Sequence, residues 1–199
     1  MSDTFKTIVS SAEGSYKEKG SKFLSFAFPV ENVDEINQIL ARYRKQYYDA
    51  RHICYAYMLG SSRNEWRAND DGEPSGTAGK PILGQINSFE LTNILIIVVR
   101  YFGGILLGTG GLITAYKEAS RDALEQANIV ERTIDEIISV DFDYLLINDV
   151  MRVVKDMSPQ VLDQSFDNMC AMKLSIRQSD AEKLKSKLRN IIGVIVENE

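Results

Sequence analysis

One run of residues constrains the fold of this chain more than any other feature of its sequence. Residues 93–102 read NILIIVVRYF, a continuous series of mostly branched apolar side chains that ends at two glycines. A run of this kind is typical of a β-strand whose two faces are both covered by other parts of the protein. We therefore expect it to be the central strand of a sheet.

Strands and helices are predicted to alternate through residues 1–130. Asn32 to Glu35 resembles a capping box, and the apolar residues that follow it recur at helical spacing. Pro81 is compatible with a helix only in its first turn. The predicted elements are strands over 22–30 and 52–59, and helices after residue 32, from about residue 77 and over 112–127. This order predicts an α/β domain.

The pattern begins again near residue 130, where we place a domain boundary. Ser179 to Glu182 resembles a second capping box, and Gly193 is expected to end the helix that follows. The predicted elements are strands over 133–144, 160–166, 170–176 and 194–196, and helices over 147–157 and after residue 179. The order βαββαβ within 131–199 is that of the ferredoxin-like arrangement, so the whole chain is predicted to be α+β with two domains.

Composition excludes several classes of protein. The chain has 199 residues, of which 44% are hydrophobic, so it can bury a core, and its net charge of −5 argues against a general nucleic-acid coat protein. Cys54 and Cys170 lack the spacing of a disulfide framework or a zinc site, and both are interpreted as buried thiols. The N-terminus lacks a signal sequence and no apolar run approaches ~20 residues, so we expect a cytoplasmic protein without a membrane span.

Two glycine-rich segments form the candidate binding site. Residues 70–81 read DDGEPSGTAGKP, and residues 103–111 read GGILLGTGG. Glycines let backbone N–H groups approach a ligand, while acids and a lysine supply charge of both signs. We expect the two segments to face each other. The candidate binding residues are Arg51, His52, Asp70, Asp71, Glu73, Ser75, Thr77, Lys80, Arg100, Gly103, Gly104 and Gly108.

Known catalytic and nucleotide-binding motifs do not fit these segments. A P-loop requires glycine where this chain has Pro74 and a hydroxyl side chain where it has Pro81. The second segment lacks the last glycine of a dinucleotide fingerprint, and Ser75 is not in a nucleophile elbow. The glycine-rich helix start is consistent with an anion or partner contact, or with tight turn geometry alone. The sequence predicts no catalytic residue and no cofactor.

Three further features each have two interpretations. His52 is either a structural histidine or a proton carrier. The acids of residues 70–73 either form turns and helix caps or hold a hard cation such as Mg²⁺, and we predict no metal site. Short basic clusters near Tyr43, Tyr47 and Trp66 are either solvated faces or a nucleic-acid surface.

The same two segments resemble the signature of a known family. DDGEPSGTAGKP, VVRYFGGILLGTGGL and the preceding DARH are similar to the IMPACT family, specifically its bacterial YigZ-like branch, and the resemblance covers nearly the whole chain. It implies an N-terminal α/β domain related to domain IV of elongation factor G and to GHMP kinases. It also implies a ferredoxin-like C-terminal domain similar to domain V of that factor.

The resemblance also sets the functional expectation. Eukaryotic relatives regulate translation during amino-acid starvation, so a role near translation is implied here. The favoured hypothesis is a non-enzymatic binding module that contacts RNA or a ribosome-associated component. The alternative is a small-molecule hydrolase or phosphotransferase that uses the segments 70–81 and 103–111.

Overall fold

The computed structural model describes residues 3–198 and divides them into two compact units, each with its own core. One unit is Phe5–Arg132, and the other comprises residues 133–198 with residues 3 and 4. The predicted domain boundary between residues 130 and 131 stays a prediction. Both units contain helices and sheets, so the chain is a mixed α and β protein.

The unit Phe5–Arg132 is built on a five-stranded antiparallel sheet. Its strands in spatial order are β2 (Ala12–Glu18), β3 (Ser21–Pro29), β6 (Ile94–Tyr101), β4 (His52–Leu59) and β5 (Glu65–Asn69). A separate two-stranded sheet pairs β1 (Thr4–Ile8) with β7 (Ile129–Thr133). The predicted central strand is therefore in the middle of the larger sheet.

Helices cover both faces of this sheet. They are α1 (Val33–Gln46), α2 (Gly79–Ser88) and α3 (Gly108–Glu125). In β6, Leu95, Ile97 and Val99 belong to the core that contains α1, whereas Ile94, Ile96 and Val98 belong to the core that contains α2 and α3. The run of residues 93–102 has no polar face because each alternate set of side chains packs against a different helical layer.

The unit of residues 133–198 has a four-stranded antiparallel sheet with two helices. The strands in spatial order are β11 (Ile195–Asn198), β8 (Asp135–Asp143), β10 (Met169–Arg177) and β9 (Gln160–Phe166). The helices are α4 (Ile147–Met157) and α5 (Gln178–Arg189), and a 3₁₀ turn over Tyr144–Leu146 precedes α4. One core joins both helices to β8 and β10. Within residues 3–198, no helix has both the length and the hydropathy that a membrane-spanning helix requires.

Most predicted elements match the structure, with a few differences. Asn32 caps α1 as predicted, because its side-chain oxygen accepts from the backbone N–H of Glu35. The Glu35 carboxylate in turn accepts from the backbone N–H of Glu31. The second predicted capping box is wrong, because α5 begins at Gln178 and has no side-chain cap. Helix α3 begins four residues earlier than predicted, inside the second glycine segment. Strands β1, β2, β5 and β7 were not predicted.

Candidate functional site

The strand register of the larger sheet places three side chains next to each other. His52 at the start of β4 lies opposite Arg100 near the end of β6, and Phe23 of β3 lies opposite the same arginine on its other side. Because side chains alternate between the faces of a sheet, residues directly opposite share a face. The cluster lies on the face that packs against α2 and α3, with Phe23 in the core of that layer.

Glu73 forms the centre of the polar network at this end of the sheet. Its carboxylate is almost fully buried, and Oε1 accepts hydrogen bonds from Arg100 Nη1 at 2.6 Å and from the Tyr116 hydroxyl at 2.7 Å. The guanidinium of Arg100 also lies 5.6 Å from the Phe23 ring centroid and 5.7 Å from that of Phe102. A buried ion pair of this kind is costly to break by removing one partner.

The hydroxyl and thiol beside Glu73 remain protonated at neutral pH. Burial, followed by the neighbouring Cys54 and Glu73, raises the pKa of Tyr116 well above its usual range. Burial also raises the pKa of the Cys54 thiol, which outweighs the hydrogen bond to Tyr116. The Cys54 Sγ donates to the carbonyl of Asp70 at 3.0 Å. Both cysteines of the chain are buried and free, as predicted.

His52 is oriented by the backbone of the first glycine-rich segment. Its Nδ1 lies 2.8 Å from the carbonyl oxygen of Asp71, which can only accept, so Nδ1 carries the hydrogen. The other ring nitrogen, Nε2, lies 3.7 Å from Glu73 Oε2. The imidazole therefore has one nitrogen bound to the main chain and the other directed towards Glu73.

A cavity of about 550 Å³ opens beside this network. It combines cationic and acidic groups with apolar side chains, the composition typical of ligand sites. Its polar side chains are Arg51, His52, Glu73, Arg100 and Thr109. The remaining lining residues are Pro74, Phe102, Leu106, Leu107, Gly108 and Leu112. Phe102 is about half exposed at 48%, and Leu106 is 82% exposed.

Helix α3 begins at the cavity without a side-chain cap. Its cap residue is Leu107, whose side chain makes no capping hydrogen bond, and its first turn contains no acid. Uncapped N–H groups and the helix dipole favour a negatively charged group at this position. Gly108 and Thr109, the first residues of the helix, line the cavity. The sequence left two interpretations of this glycine-rich helix start, an anion or partner contact and tight turn geometry alone, and the anion contact stays a prediction.

The structure brings five of the twelve predicted site residues to the cavity. Those five are Arg51, His52, Glu73, Arg100 and Gly108. Both glycine-rich segments contribute to it, as the sequence led us to expect. Whether these residues bind a ligand stays a prediction.

The other seven predicted residues do not line the cavity. Asp70 accepts from the backbone N–H groups of Gly76, Ala78 and Gly79, and so orders the segment and caps α2. Asp71 accepts from the backbone of Ile53. Thr77 is buried and donates to the carbonyl of Pro74.

The remaining four residues of this group are exposed. Ser75 and Lys80 are on the surface of the first segment. Gly103 is placed against the β2–β3 turn, where an added Cβ would lie 1.9 Å from the carbonyl carbon of Gly20. Gly104 has a positive φ of 86° and no neighbouring atom where a Cβ would be.

The acids of the first segment do not converge on a cation. Their carboxylates bind different groups, as described above, and no three His, Cys, Asp or Glu side chains of residues 3–198 are arranged to hold a metal ion. Partial burial raises the pKa of Asp70, but the hydrogen bonds from Gly76, Gly79 and Ala78 outweigh it and keep this pKa below its ordinary value. Asp70 and Asp71 therefore hold the backbone of the first segment and of β4 through hydrogen bonds.

The predicted site residues did not include two residues of the network or six of the cavity lining, namely Cys54, Tyr116, Pro74, Phe102, Leu106, Leu107, Thr109 and Leu112. Tyr116 and Cys54 have no motif around them and belong to apolar faces of α3 and β4. Phe102 and Leu107 lie between β6 and α3, where the sequence analysis named the glycines as candidate binding residues. The sequence signal for Phe102 was its distance from Arg100. Phe102 is two residues beyond Arg100, and residues two apart in an extended strand lie on the same face of the sheet.

Comparisons with known proteins were made for the whole chain. A family model described as the Impact N-terminal domain matches residues 19–124. "IMPACT family member YvyE" of Bacillus subtilis is 36% identical over 144 residues, which cover 72% of this chain and 66% of that relative. "IMPACT family member YigZ" of Escherichia coli is 28% identical over 172 residues, which cover 85% of this chain and 84% of the relative.

A solved structure has a similar fold. The "Crystal structure of an hypothetical protein" superposes with a TM-score of 0.75 at 24% sequence identity, and the match covers 98% of this chain and 97% of that one. The similarity therefore extends over both units of the chain, and it concerns the fold alone.

Proposed function

The chain belongs to the IMPACT family, and from this premise we propose that it is a non-enzymatic binding protein of the cytoplasm that acts near translation. In this role it contacts RNA or a ribosome-associated component. The contact surface is the cavity and its surroundings, with Arg51, His52 and the segments 70–81 and 103–111.

The observation that carries this proposal is the combination of groups around the cavity. Arg51 is exposed, the start of α3 presents uncapped N–H groups, and Phe102 exposes about half of its surface beside Arg100. Single-stranded RNA is bound by cationic groups that contact phosphates and by aromatic rings on which bases stack. The net charge of −5 does not oppose this, because binding depends on local charge.

Two features favour binding over catalysis. The buried thiol and hydroxyl, Cys54 and Tyr116, have raised pKa values because of burial, so neither supplies an anionic nucleophile at neutral pH. His52 has a main-chain carbonyl on Nδ1, where the triads of hydrolases have a carboxylate.

The fold assignments implied by the family resemblance are part of the same proposal. We assign residues 131–199 to a ferredoxin-like domain similar to domain V of elongation factor G. The spatial order β11-β8-β10-β9 and the βαββαβ chain order support it. We also assign residues 1–130 to the N-terminal α/β domain of the family, which is related to domain IV of elongation factor G and to GHMP kinases.

Salt-dependent RNA binding tests the proposal. A fluorescently labelled single-stranded RNA is titrated with the full chain at several KCl concentrations, and anisotropy is measured. Affinity is expected to fall as salt rises, because phosphate contacts release counterions. Arg51→Ala is expected to weaken binding about five- to tenfold and to reduce the magnitude of the salt slope by roughly 0.7, the value for one phosphate of a single strand.

Lys117→Ala is the matched control for this experiment. Lys117 is exposed on α3 and does not line the cavity. Its removal should leave the affinity within about twofold, because it removes the same charge from a different place. Salt-independent binding, or equal losses in the two variants, would contradict the assigned surface.

A second function, a small-molecule hydrolase or phosphotransferase, is favoured by one observation. His52 Nε2 and Glu73 Oε2 are 3.7 Å apart at the cavity, close enough to exchange a proton through a bound substrate or water. Turnover of a phosphoester panel by the purified chain that disappears in Glu73→Gln would support this function. An inert protein across the panel would remove it.

A further inference from the structure

Glu73 has one carboxylate oxygen, Oε2, that accepts no hydrogen bond from residues 3–198. Both hydrogen bonds that Glu73 accepts within the described residues, from Arg100 and Tyr116, reach Oε1. Oε2 faces His52 Nε2 at 3.7 Å, which is beyond hydrogen-bond distance. Glu73 lines the cavity, so Oε2 is an acceptor available to a ligand there.

His52 provides a second acceptor beside the first. Its Nδ1 hydrogen is donated to the carbonyl of Asp71 at 2.8 Å, and this bond selects one tautomer of the neutral ring. In that tautomer Nε2 has a lone pair and no hydrogen. In the neutral form of His52, the cavity therefore contains two acceptors, Glu73 Oε2 and His52 Nε2, 3.7 Å apart and supplied by separate parts of the chain.

Two neighbouring acceptors require a ligand with two neighbouring donors. Among the RNA bases, guanine presents adjacent N1–H and N2–H donors on its Watson–Crick edge. Adenine, cytosine and uracil each place an acceptor beside their donor on the same edge. Protein sites read unstacked RNA bases through this edge and hold their faces against aromatic or apolar side chains.

The rest of the cavity fits a base. Its volume of about 550 Å³ is within the range of small-molecule sites, and Leu107 and Leu112 supply apolar surface. Phe102 is about half exposed beside the cavity, so part of its ring surface is available for stacking. Arg51 also lines the cavity, where its guanidinium can contact a phosphate of the same nucleotide.

We propose that the cavity binds a single unstacked guanine base of RNA, with the N1–H and N2–H groups donating to His52 Nε2 and Glu73 Oε2. This inference rests on the proposed function, because it names the part of an RNA that the same surface recognises. Discrimination comes from the two acceptors, and affinity comes from Phe102, the apolar lining and Arg51.

Free nucleotides test the base selectivity without any substitution. Binding of GMP, IMP, AMP, CMP and UMP to the full chain is measured by isothermal titration calorimetry. IMP lacks the N2 amine and is otherwise close to GMP, so it is expected to bind about tenfold more weakly. AMP, CMP and UMP are expected to bind roughly 30-fold more weakly or worse, since they leave an acceptor unpaired. Equal binding of the five nucleotides, or absence of GMP binding, overturns the proposal.

Two variants test the assigned residues. Glu73→Gln replaces the carboxylate acceptor by an amide, so it should reduce the ratio of GMP affinity to IMP affinity to about one. Circular dichroism checks that this variant is folded. Phe102 is on the surface, so Phe102→Ala should leave the fold intact. It should weaken the binding of all five nucleotides about tenfold and leave the ratio of GMP affinity to IMP affinity unchanged. Ile105→Ala is its control, because Ile105 is exposed in the same loop and does not line the cavity. A GMP to IMP ratio that persists in a folded Glu73→Gln variant overturns the assignment.

RNA oligonucleotides separate this inference from the proposed function. Two single-stranded RNAs of equal length, one with a central guanine and one with adenine in its place, are compared at constant salt. Tighter binding of the first RNA supports the proposal. Equal binding of both overturns guanine recognition and leaves RNA binding intact. Binding of GMP without binding of either RNA would show that the guanine is not supplied by RNA. It would overturn this inference and the proposed function.

Discussion

Asp70, Asp71 and Glu73 lie within four residues of one loop, yet each carboxylate binds a different part of the fold. Asp70 accepts from three backbone N–H groups and so orders the loop around itself. Asp71 binds the backbone of β4, and Glu73 binds Arg100 and Tyr116 at the cavity. Residue type alone does not distinguish these roles, because they depend on where each side chain points.

Asp70 is expected to link stability to pH. The pKa of Asp70 in the folded chain lies below its ordinary value of 3.8, so its stabilisation is complete above that value. It is lost as pH falls through the lower folded pKa. Asp70→Asn should therefore lower the free energy of unfolding by about 1–2 kcal/mol at pH 7, and the difference should shrink below pH 3.8.

Urea unfolding monitored by fluorescence checks this prediction. Trp66 is the single tryptophan of the chain and belongs to β5 of the same unit as Asp70. Glu65→Gln is the control, because Glu65 is exposed on that strand and its removal should change stability by less than about 0.5 kcal/mol. A constant difference between Asp70→Asn and the parent chain from pH 7 to pH 2 would contradict the role assigned to Asp70.

At the scale of elements, the site depends on how β6 and α3 are connected. The loop between them passes against the β2–β3 turn, and the backbone N–H of Gly103 donates to the Ser21 hydroxyl at 3.2 Å. Helix α3 then begins at Gly108 and places Tyr116 over the sheet. The glycines of this connection therefore differ in role. Gly103 permits close packing, Gly108 has a positive φ of 70° at the first helical position, and Gly110 lies inside α3.

Two glycine substitutions separate these roles. Gly103→Ala would place Cβ 1.9 Å from the carbonyl carbon of Gly20, so the two main chains must move apart at a cost of about 1–3 kcal/mol. Gly110→Ala meets no atom within 4 Å and lies inside α3, so it should stabilise the chain by up to about 1 kcal/mol. Trp66 fluorescence in urea measures both variants. Equal effects of the two substitutions would contradict this distinction.

At the scale of the whole molecule, the chain consists of two units with separate hydrophobic cores. One core on each side of the five-stranded sheet belongs to Phe5–Arg132, and a third belongs to the unit of residues 133–198. The cavity is formed entirely by residues of Phe5–Arg132. A change in the core of the other unit should therefore leave the cavity residues in place.

Leu174→Ala tests the independence of the cores. Leu174 is fully buried in β10, and its truncation should destabilise its unit by about 2–5 kcal/mol. Hydrogen exchange measured by mass spectrometry should then show lost protection in peptides from 133–198 and unchanged protection in peptides from 5–132. Lys183→Ala, at an exposed position of α5, is the control. Lost protection throughout the chain would show that the units unfold together.

Local sequence patterns predicted the long elements because those elements bury a regular set of side chains. The continuous apolar run of residues 93–102 predicted the central strand, and Asn32 marks the start of α1 by capping chemistry. The unpredicted strand β2 reads AEGSYKE, and its position at the sheet edge explains its weak apolar pattern. Strand β5, at the opposite edge, was missed for the same reason.

The sequence by itself determined the order of the main elements, the family and the two loops that reach the cavity, because each depends on residues close together in the chain. Only the tertiary structure decided which side chains meet there. His52, Glu73, Arg100 and Tyr116 come from two strands, a loop and a helix. Antiparallel register sets His52 opposite Arg100, and helix packing brings Tyr116 to Glu73. Neither relation leaves a local pattern in the sequence, since both depend on contacts between distant segments.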